Sequence, residues 1–346
     1  MLFAFNVDNL GPLETVETSV LLEKIGFNSI WLADHLVDIG GAGFIDPWTV
    51  GGAIATCTKK INIFSAVTDT QRCHPAKTAH MIANLDVLSR GRAILGIGAG
   101  EAMNTTPFGI KWEKPSDRIA RLREAIEIIK LLWTSSSEKR SNYSGRFYDL
   151  ANAYLDQLPF SKPHPPIFIG AMYSKRMLSL IGEIGNGWIG WINTPETFKT
   201  KVQIIRISAR NAGRENENIQ TATMLPVVFP RDNEPLEEFV LNAKAYLFSE
   251  RRTIESLGYE PPVFPDYQNF LPLREKYEEL LELAESVPEE YVYRCVAFGE
   301  EQCIRMIEDL AEVGANQLAI ININEPNRSK EIIERFGKII RYFESQ

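Results

Sequence analysis

Apolar runs of the kind found in buried strands alternate with amphipathic segments along all 346 residues of the chain. Predominantly apolar runs indicate strands that are buried on both faces, and hence a parallel sheet. The eight runs are LFAFNV (2–7), NSIWLAD (28–34), INIFSAV (61–67), RAILGIG (92–98), PIFIGA (166–171), GWIGWI (187–192), TATMLPVVF (221–229) and QLAIIN (317–322). Eight such strands separated by helices close most simply as an α/β (βα)8 TIM barrel; an open doubly wound sheet is the alternative.

Helical periodicity lies between these runs. The segment 12–25 has apolar residues at helical spacing and ends at Gly26, which suits the left-handed position after a helix. The segment 115–133 shows the same periodicity after a proline start signal. Three helix-to-strand junctions also share one composition: EKIGFNSIWL (23–32), EIGNGWIGW (183–191) and AEVGANQLAI (311–320). The repetition favours one βα unit used many times, and therefore a single barrel domain over residues 1–346.

Two segments depart from the repeated unit. SNYSGRFYDL (141–150) has the pattern of a short hairpin. Residues 230–290 are rich in proline, acidic and aromatic residues, and we predict that they form a helical insertion after the seventh strand.

The composition narrows the class of function. The net charge is −8, with 37 Lys and Arg against 45 Asp and Glu, and there is no basic cluster of the kind that binds nucleic acid or anionic membranes. The four cysteines form no C-x-x-C pair, which favours a reducing compartment and gives no indication of a metal site. The N-terminal segment lacks a basic region, and no apolar run reaches 18 residues. We expect a cytoplasmic protein whose partners are neither nucleic acids nor membranes.

Polar residues follow each of the first four predicted strands. Because the carboxyl ends of barrel strands meet at one face, we expect these residues to lie close together. They are Asp8 and Asn9, Asp34 and His35, Ser65, Thr68 and Asp69, and Glu101 and Asn104. Histidine is the side chain best suited to move protons near neutral pH, so His35 is a candidate general acid or base, with Asp34 or Glu101 setting its tautomer. The alternative is a structural histidine at a strand end.

The segment GIGAGEAMN (96–104) has three glycines at alternate positions, followed by Glu101. It lacks the third glycine of a dinucleotide-binding motif and the G-K-S/T of a phosphate-binding loop, so neither is predicted. Small residues allow a flat ligand to approach the backbone, and a carboxylate at this place suits a neutral or proton-bearing group. A polar ring system fits this pattern better than a phosphate.

Several of these stretches resemble the bacterial luciferase-like superfamily, and within it the branch that uses the deazaflavin coenzyme F420. The stretches are ADH (33–35), TDTQRCHP (68–75) and LDVLSRGRAILGIGAGEAMN (85–104), and the resemblance covers nearly the whole chain. It implies a (βα)8 barrel with an insertion after strand seven. It also implies hydride transfer between coenzyme F420 and a substrate of the alcohol or ketone type.

Other motifs widen the range of substrates that the resemblance implies. GAGEAMN is similar to F420-dependent secondary alcohol dehydrogenase and F420-dependent glucose-6-phosphate dehydrogenase. GIKWEKP (109–115) is similar to methylenetetrahydromethanopterin reductase, and AVTDTQR (66–72) is similar to mycobacterial ketoreductases. Methylenetetrahydromethanopterin reduction is therefore one alternative. An FMN-dependent monooxygenase of the luciferase type and a member without catalytic activity are two others.

The resemblance implies a role for individual residues. His35 matches the histidine beside the hydride-transfer centre, Glu101 matches a carboxylate close to the ring and substrate, and Asp8 stands where the family often has a glutamate. Asp34 matches a residue that contacts the deazaflavin, and a non-prolyl cis peptide at Ser65–Ala66 would form a bulge behind the ring. The other positions that bind the ring or its tail are Thr68, Gly98, Ala99, Gly100, Asn104, Gly170, Ala171 and Trp191.

Two further expectations concern the substrate and the assembly. The alcohol and sugar-phosphate enzymes carry a tryptophan shortly after the histidine, whereas this chain has none before Trp48. Arg294 lies near the position of an arginine that binds sugar phosphate, although its lysine partner among Lys199, Lys201 and Lys276 is not identified; an ion pair with an acidic residue is the alternative. Family members are commonly dimers, so we expect a homodimer.

Overall fold

The computed structural model describes residues 1–7, 10–37, 43–248, 251–260, 274–323 and 326–345. Its strands are β1 (Leu2–Val7), β2 (Ser29–Leu32), β3 (Asn62–Asp69), β4 (Ala93–Gly98), β5 (Ser141–Ser144), β6 (Asp149–Ala153), β7 (Ile167–Gly170), β8 (Gly187–Ile192), β9 (Gln220–Val228), β10 (Ala297–Phe298) and β11 (Gln317–Asn322). Its helices are α1 (Pro12–Ile25), α2 (Pro47–Cys57), α3 (Pro75–Ser89), α4 (Pro115–Leu132), α5 (Lys175–Ile184), α6 (Pro195–Asn211), α7 (Leu236–Phe248), α8 (Arg251–Ser256), α9 (Arg274–Ala284), α10 (Glu289–Tyr293), α11 (Glu300–Glu312) and α12 (Ser329–Glu344).

Eight of the strands form a closed parallel barrel. They follow one another around it in the order β1, β2, β3, β4, β7, β8, β9, β11, and β11 pairs with β1 to complete the circle. Each of the eight predicted apolar runs overlaps one of these strands. The prediction of a (βα)8 barrel is therefore confirmed, and the alternative of an open sheet is wrong.

Local sequence signals set the helix boundaries. Helices α1, α2, α3, α4 and α6 all begin at a proline, whose missing N–H costs nothing in the first turn of a helix. Helix α1 ends at Gly26, which has a φ of 111° and donates its N–H to the carbonyl of Leu22. Helix α6 starts with a capping box between Thr194 and Thr197. These signals fix the residues at which the helices between the strands begin and end.

Aromatic side chains fill the inside of the barrel. Trp31 of β2 and Phe64 of β3 pack edge to face with ring centroids 5.0 Å apart, and Phe64 packs on Phe168 of β7 at the same distance. All three are buried. Burying a phenylalanine of this kind stabilises the fold by about 1.5–3 kcal/mol. The barrel interior is therefore a packed core, and ligands are limited to its mouth.

The predicted insertions coincide with additional elements. Strands β5 and β6 pair antiparallel between α4 and β7. Helices α7 to α10 follow β9, and their apolar residues pack on Ile192 and Val228, where β8 and β9 end. Within 230–290, residues 249–250 and 261–273 lie outside the described part of the chain. The two-residue strand β10 is too short to leave a sequence pattern and was not predicted. None of the described helices has the length and hydropathy needed to cross a membrane.

Candidate active site

The alternate glycines of GIGAGE lie at the end of β4 and keep one face of it free of side chains. A Cβ on Gly96 would lie 2.0 Å from the carbonyl oxygen of Ser65. A Cβ on Gly98 would lie 3.0 Å from a methyl group of Val67, and Gly100 has a φ of 85°, where any side chain is strained. The glycines therefore allow β3 and the segment after it to approach β4 closely, a role that the interpretation from sequence missed.

Strand β3 has a bulge beside these glycines. Between Ser65 and Thr68 the pairing with β4 skips, so that Ala66 and Val67 lie opposite the single residue Gly96. A non-prolyl cis peptide joins Ala66 to Val67. The predicted position, Ser65–Ala66, was wrong by one residue. The reason is that the Ser65 hydroxyl bonds both the N–H and the carbonyl of Gly96, at 3.2 Å each, and keeps Ser65 in the regular ladder.

The side chain of Val67 occupies the space beside two glycines on neighbouring strands. A Cβ on Gly98 or on Gly170 would come within 3.0 and 3.2 Å of its methyl groups. Val67 is only partly buried, and it belongs to the apolar cluster inside the barrel. It thus gives the barrel mouth a small apolar surface next to exposed backbone, which suits one face of a flat ring. The residues present fit a ring cofactor at this place.

His35 meets Asn104 and Glu101 directly after β2 and β4. The Nδ1 atom of His35 lies 2.9 Å from Asn104 Nδ2 and 3.5 Å from Glu101 Oε2. The imidazole also packs on the ring of Phe44, with centroids 4.7 Å apart. The side chains of His35 and Glu101 are 21% and 45% exposed. The pair predicted from sequence is therefore in contact, and both members remain accessible to a ligand.

Asp34 contacts Arg72, and no contact joins its carboxylate to the imidazole of His35 within the described residues. Arg72 Nη1 lies 3.2 Å from Asp34 Oδ1, and Arg72 Nη2 donates to the Asp34 carbonyl at 2.6 Å. Arg72 Nε binds the carboxylate of Asp69. Burial disfavours the charge on Arg72, but the carboxylates of Asp69 and Asp34 raise its pKa above the usual value. Sequence reasoning noted Arg72 after the third strand, within TDTQRCHP, but gave it no role, although its spacing of three from Asp69 is a signal.

The other residues predicted to bind a ligand differ in their burial and in the hydrogen bonds that they can make. Thr68 and Ala171 are buried. Trp191, at the end of β8, packs on Tyr246 of α7 with ring centroids 5.5 Å apart. The indole N–H of Trp191 is buried and has no hydrogen-bond partner within the described part of the chain, so it can donate to a ligand. Asp8 lies outside the described residues.

Within the described part of the chain, Arg294 makes no contact with His35, Glu101 or Asn104. It is exposed, its Nη1 donates to the carbonyl of Leu257 at 3.1 Å, and it lines a cavity of about 210 Å³ together with Glu196 and Asp309. A hydrogen bond from Thr194 lowers the pKa of Glu196, and the charge of Arg294 lowers it further. Two acidic side chains therefore lie beside Arg294. This favours a structural ion pair over binding of a substrate anion.

The three lysines considered as partners of Arg294 in binding a substrate phosphate differ in their surroundings. Lys199 is exposed, and the side chain of Lys276 lies outside the described part of the chain. Lys201 is buried; its Nζ donates to Asn193 Oδ1 at 2.6 Å and lies 4.1 Å from the ring centre of Tyr173. Burial lowers the pKa of Lys201 to about 8. Among the described residues, no group of three or more His, Cys, Asp or Glu side chains could hold a metal ion.

The closed barrel, its bulged third strand and the polar residues at its carboxyl face define a luciferase-like barrel protein. The sequence profile of the luciferase-like monooxygenase family matches residues 7–317, and the chain belongs to this family. The resemblance inferred from the motifs is confirmed at this level.

Relatives and solved structures extend the comparison. The chain is 30% identical over 325 residues to phthiodiolone/phenolphthiodiolone dimycocerosates ketoreductase from Mycobacterium kansasii, covering 86% of this chain and 87% of that protein. It is 34% identical over 234 residues to F420-dependent glucose-6-phosphate dehydrogenase from Microbacterium testaceum, covering 66% and 67%. The structure of an F420-dependent secondary alcohol dehydrogenase in complex with an F420–acetone adduct matches with a TM-score of 0.80 and 22% identity, covering 98% of each chain. This last likeness supports the fold.

Proposed function

We propose that the protein is an oxidoreductase that transfers a hydride between coenzyme F420 and the oxygen-bearing carbon of an alcohol or ketone. The observation that carries the proposal is the contact of His35 with Glu101, at 3.5 Å between Nδ1 and Oε2, at the mouth of the barrel. The names of the Mycobacterium and Microbacterium relatives, a ketoreductase and an F420-dependent dehydrogenase, agree with this reaction.

The residues of the chain would divide the work between holding the cofactor and handling a proton. When bound, coenzyme F420 supplies or accepts the hydride. Val67 would support one face of its ring, and the free N–H of Trp191 would donate to it or to its substrate. His35 and Glu101 would hold the proton that accompanies the hydride at the substrate oxygen. Orientation by these groups would supply much of the rate, because donor and acceptor carbons react only near contact distance.

The other predicted positions would complete the ring and tail site. Gly100 has a positive φ and exposes its backbone beside Asp69. We propose that the small residues of this rim and of the end of β7 line the cofactor. The lining residues would be Asp34, Ser65, Ala66, Thr68, Gly98, Ala99, Gly170 and Ala171, whereas both ends of the Asn104 amide bind protein atoms.

Two alternative functions use the same barrel. The family description is that of a monooxygenase, which favours FMN and oxygen as the first alternative. Reduction of a methylene pterin by coenzyme F420 is the second. The alcohol and sugar-phosphate enzymes carry a tryptophan shortly after the histidine, whereas this sequence has none between His35 and Trp48. This difference is the reason to test both alternatives.

Cofactor affinity tests the proposal directly. Purified protein is titrated with oxidised and reduced coenzyme F420, and with FMN as the matched control, while cofactor fluorescence is followed. We expect micromolar or tighter binding of F420 and weaker binding of FMN, followed by F420-linked turnover of a ketone in a substrate panel. Failure to bind F420 at micromolar concentrations contradicts the proposal. A yellow protein with NADH-driven oxygen uptake would establish the FMN alternative.

We also propose that two copies of the chain associate. Helix α1 exposes 82% of Leu13 and 46% of Val20, and helix α3 exposes 54% of Leu88, which is unusual for helices that pack on a barrel. Sedimentation velocity measures the mass in solution. We expect twice 39.1 kDa at micromolar concentration, and a species of 39.1 kDa would contradict the association.

A further inference from the structure

Asn104 links the imidazole of His35 to the backbone of the next residue. The Asn104 side chain is buried; its Oδ1 accepts the N–H of Leu36 at 2.8 Å, and its Nδ2 lies 2.9 Å from His35 Nδ1. A backbone N–H can only donate, so the atom of Asn104 that faces Leu36 has to be the oxygen. The opposite end of the amide is then an NH2 group, which can only donate to Nδ1 of His35.

We propose that Asn104 is a positioning residue that keeps the proton of neutral His35 on Nε2. Because Nδ1 receives a hydrogen bond from Asn104, it has to present a lone pair, and the single ring proton belongs to the other nitrogen. The net worth of one such buried hydrogen bond corresponds to roughly a tenfold preference for this tautomer.

The two acids that the sequence offered for this role are arranged differently. Asp34 binds Arg72, both through its carboxylate and through its carbonyl. Glu101 Oε2 is 3.5 Å from His35 Nδ1, beyond the usual length of a hydrogen bond between these atoms, and an ionised carboxylate has no proton to donate to a lone pair. Among the described residues, the imidazole also packs on the apolar ring of Phe44. Asn104 is thus the group that orients His35.

The tautomer has a consequence for the substrate, and this step rests on the proposed function. Nε2 of His35 makes no hydrogen bond with the described residues, so it is free to meet a ligand. Bearing a proton, it is a donor and not a base. It would therefore bind the oxygen of a carbonyl and stabilise the negative charge that develops there during reduction. The resting site is set for a ketone or aldehyde, the substrate of the reductive direction.

Nuclear magnetic resonance of ¹⁵N-labelled histidine tests the tautomer without cofactor or substrate, so its result is independent of the proposed function. The chain has four histidines, and two of them are internal references. Nδ1 of His74 accepts the N–H of Ala76 at 3.2 Å, which fixes the proton on Nε2. Nδ1 of His164 lies 2.7 Å from the carbonyl oxygen of Pro165, which fixes the proton on Nδ1. Burial lowers the pKa of His164, which favours its neutral form.

At pH 8 we expect His35 to show the ¹⁵N pattern of His74, with its resonances assigned by their loss in His35→Ala. In Asn104→Asp an oxygen replaces the NH2 group, so the proton should move to Nδ1 and give the pattern of His164, while both references stay unchanged. Once turnover is measured, this variant should lower kcat by about 100-fold with little change in KM for the cofactor. A proton on Nδ1 of His35 in the unaltered protein would overturn the proposal, whether or not the variants fold.

Discussion

Replacing His35 by alanine is expected to lower kcat of the proposed F420-dependent reduction by about 10²–10³-fold, the usual cost of removing one donor to a developing oxyanion. His35 is 21% exposed at the barrel mouth, and Asn104 holds its ring from one side. The substitution removes the donor without altering the bulge at Val67. Cofactor affinity should therefore change only a few-fold, and the loss should appear in kcat measured with saturating cofactor.

His80 provides the matched control for this experiment. It is exposed on α3, and its imidazole is not part of the site. His80→Ala should leave kcat and cofactor affinity unchanged. Full turnover in His35→Ala would remove the catalytic role of the histidine and would favour the alternative of a member that binds a ring without using this residue for chemistry.

The fold could be predicted from sequence because strands buried on both faces have few polar positions. Each apolar run marked a barrel strand, and errors were confined to the ends. The run 28–34 extended beyond β2 (Ser29–Leu32), whose pairing with β3 ends at Leu32 and Ser65, where the bulge of β3 begins. Strand β10, with two residues, is too short for any periodicity.

The spacing of the glycine run was visible in the sequence, but its part in the close approach of β3 to β4 was not. Alternate residues of a strand point to the same face, so three alternate glycines empty one face of β4. The structure shows that this face meets the carbonyl of Ser65 and the methyl groups of Val67. The bulge that fills this space belongs to the neighbouring strand β3, so the residues 96–100 alone do not predict it.

The site could be predicted in part. Polar residues after consecutive parallel strands converge at one face, which is why His35 and Glu101 could be paired from sequence. The bonds that orient them could not, because they depend on side-chain directions in the segments after the strands. Asn104 was assigned to the cofactor, yet both ends of its amide bind protein atoms. Arg72 was visible only as part of a motif.

Replacing Arg72 by methionine is expected to lower the free energy of unfolding by about 3–5 kcal/mol, the range found when one partner of a buried ion pair is removed. The side chains of Asp69 and Asp34 are 5% and 12% exposed, and both lie against the guanidinium. Methionine fills much of the space of the arginine but leaves two carboxylates together without a cation. Urea unfolding followed by circular dichroism measures the difference.

Arg305 is the control, because its guanidinium is 3.9 Å from Glu301 and the two side chains are 65% and 94% exposed. Arg305→Met should cost less than about 1 kcal/mol. Added salt separates charge from packing: the deficit of Arg72→Met should shrink at high ionic strength, which screens the repulsion between uncompensated carboxylates, whereas a packing defect would persist. Equal losses in the two variants at neutral pH would mean that solvent already stabilises these carboxylates, and Arg72 would then have no part in holding the segment that carries His35.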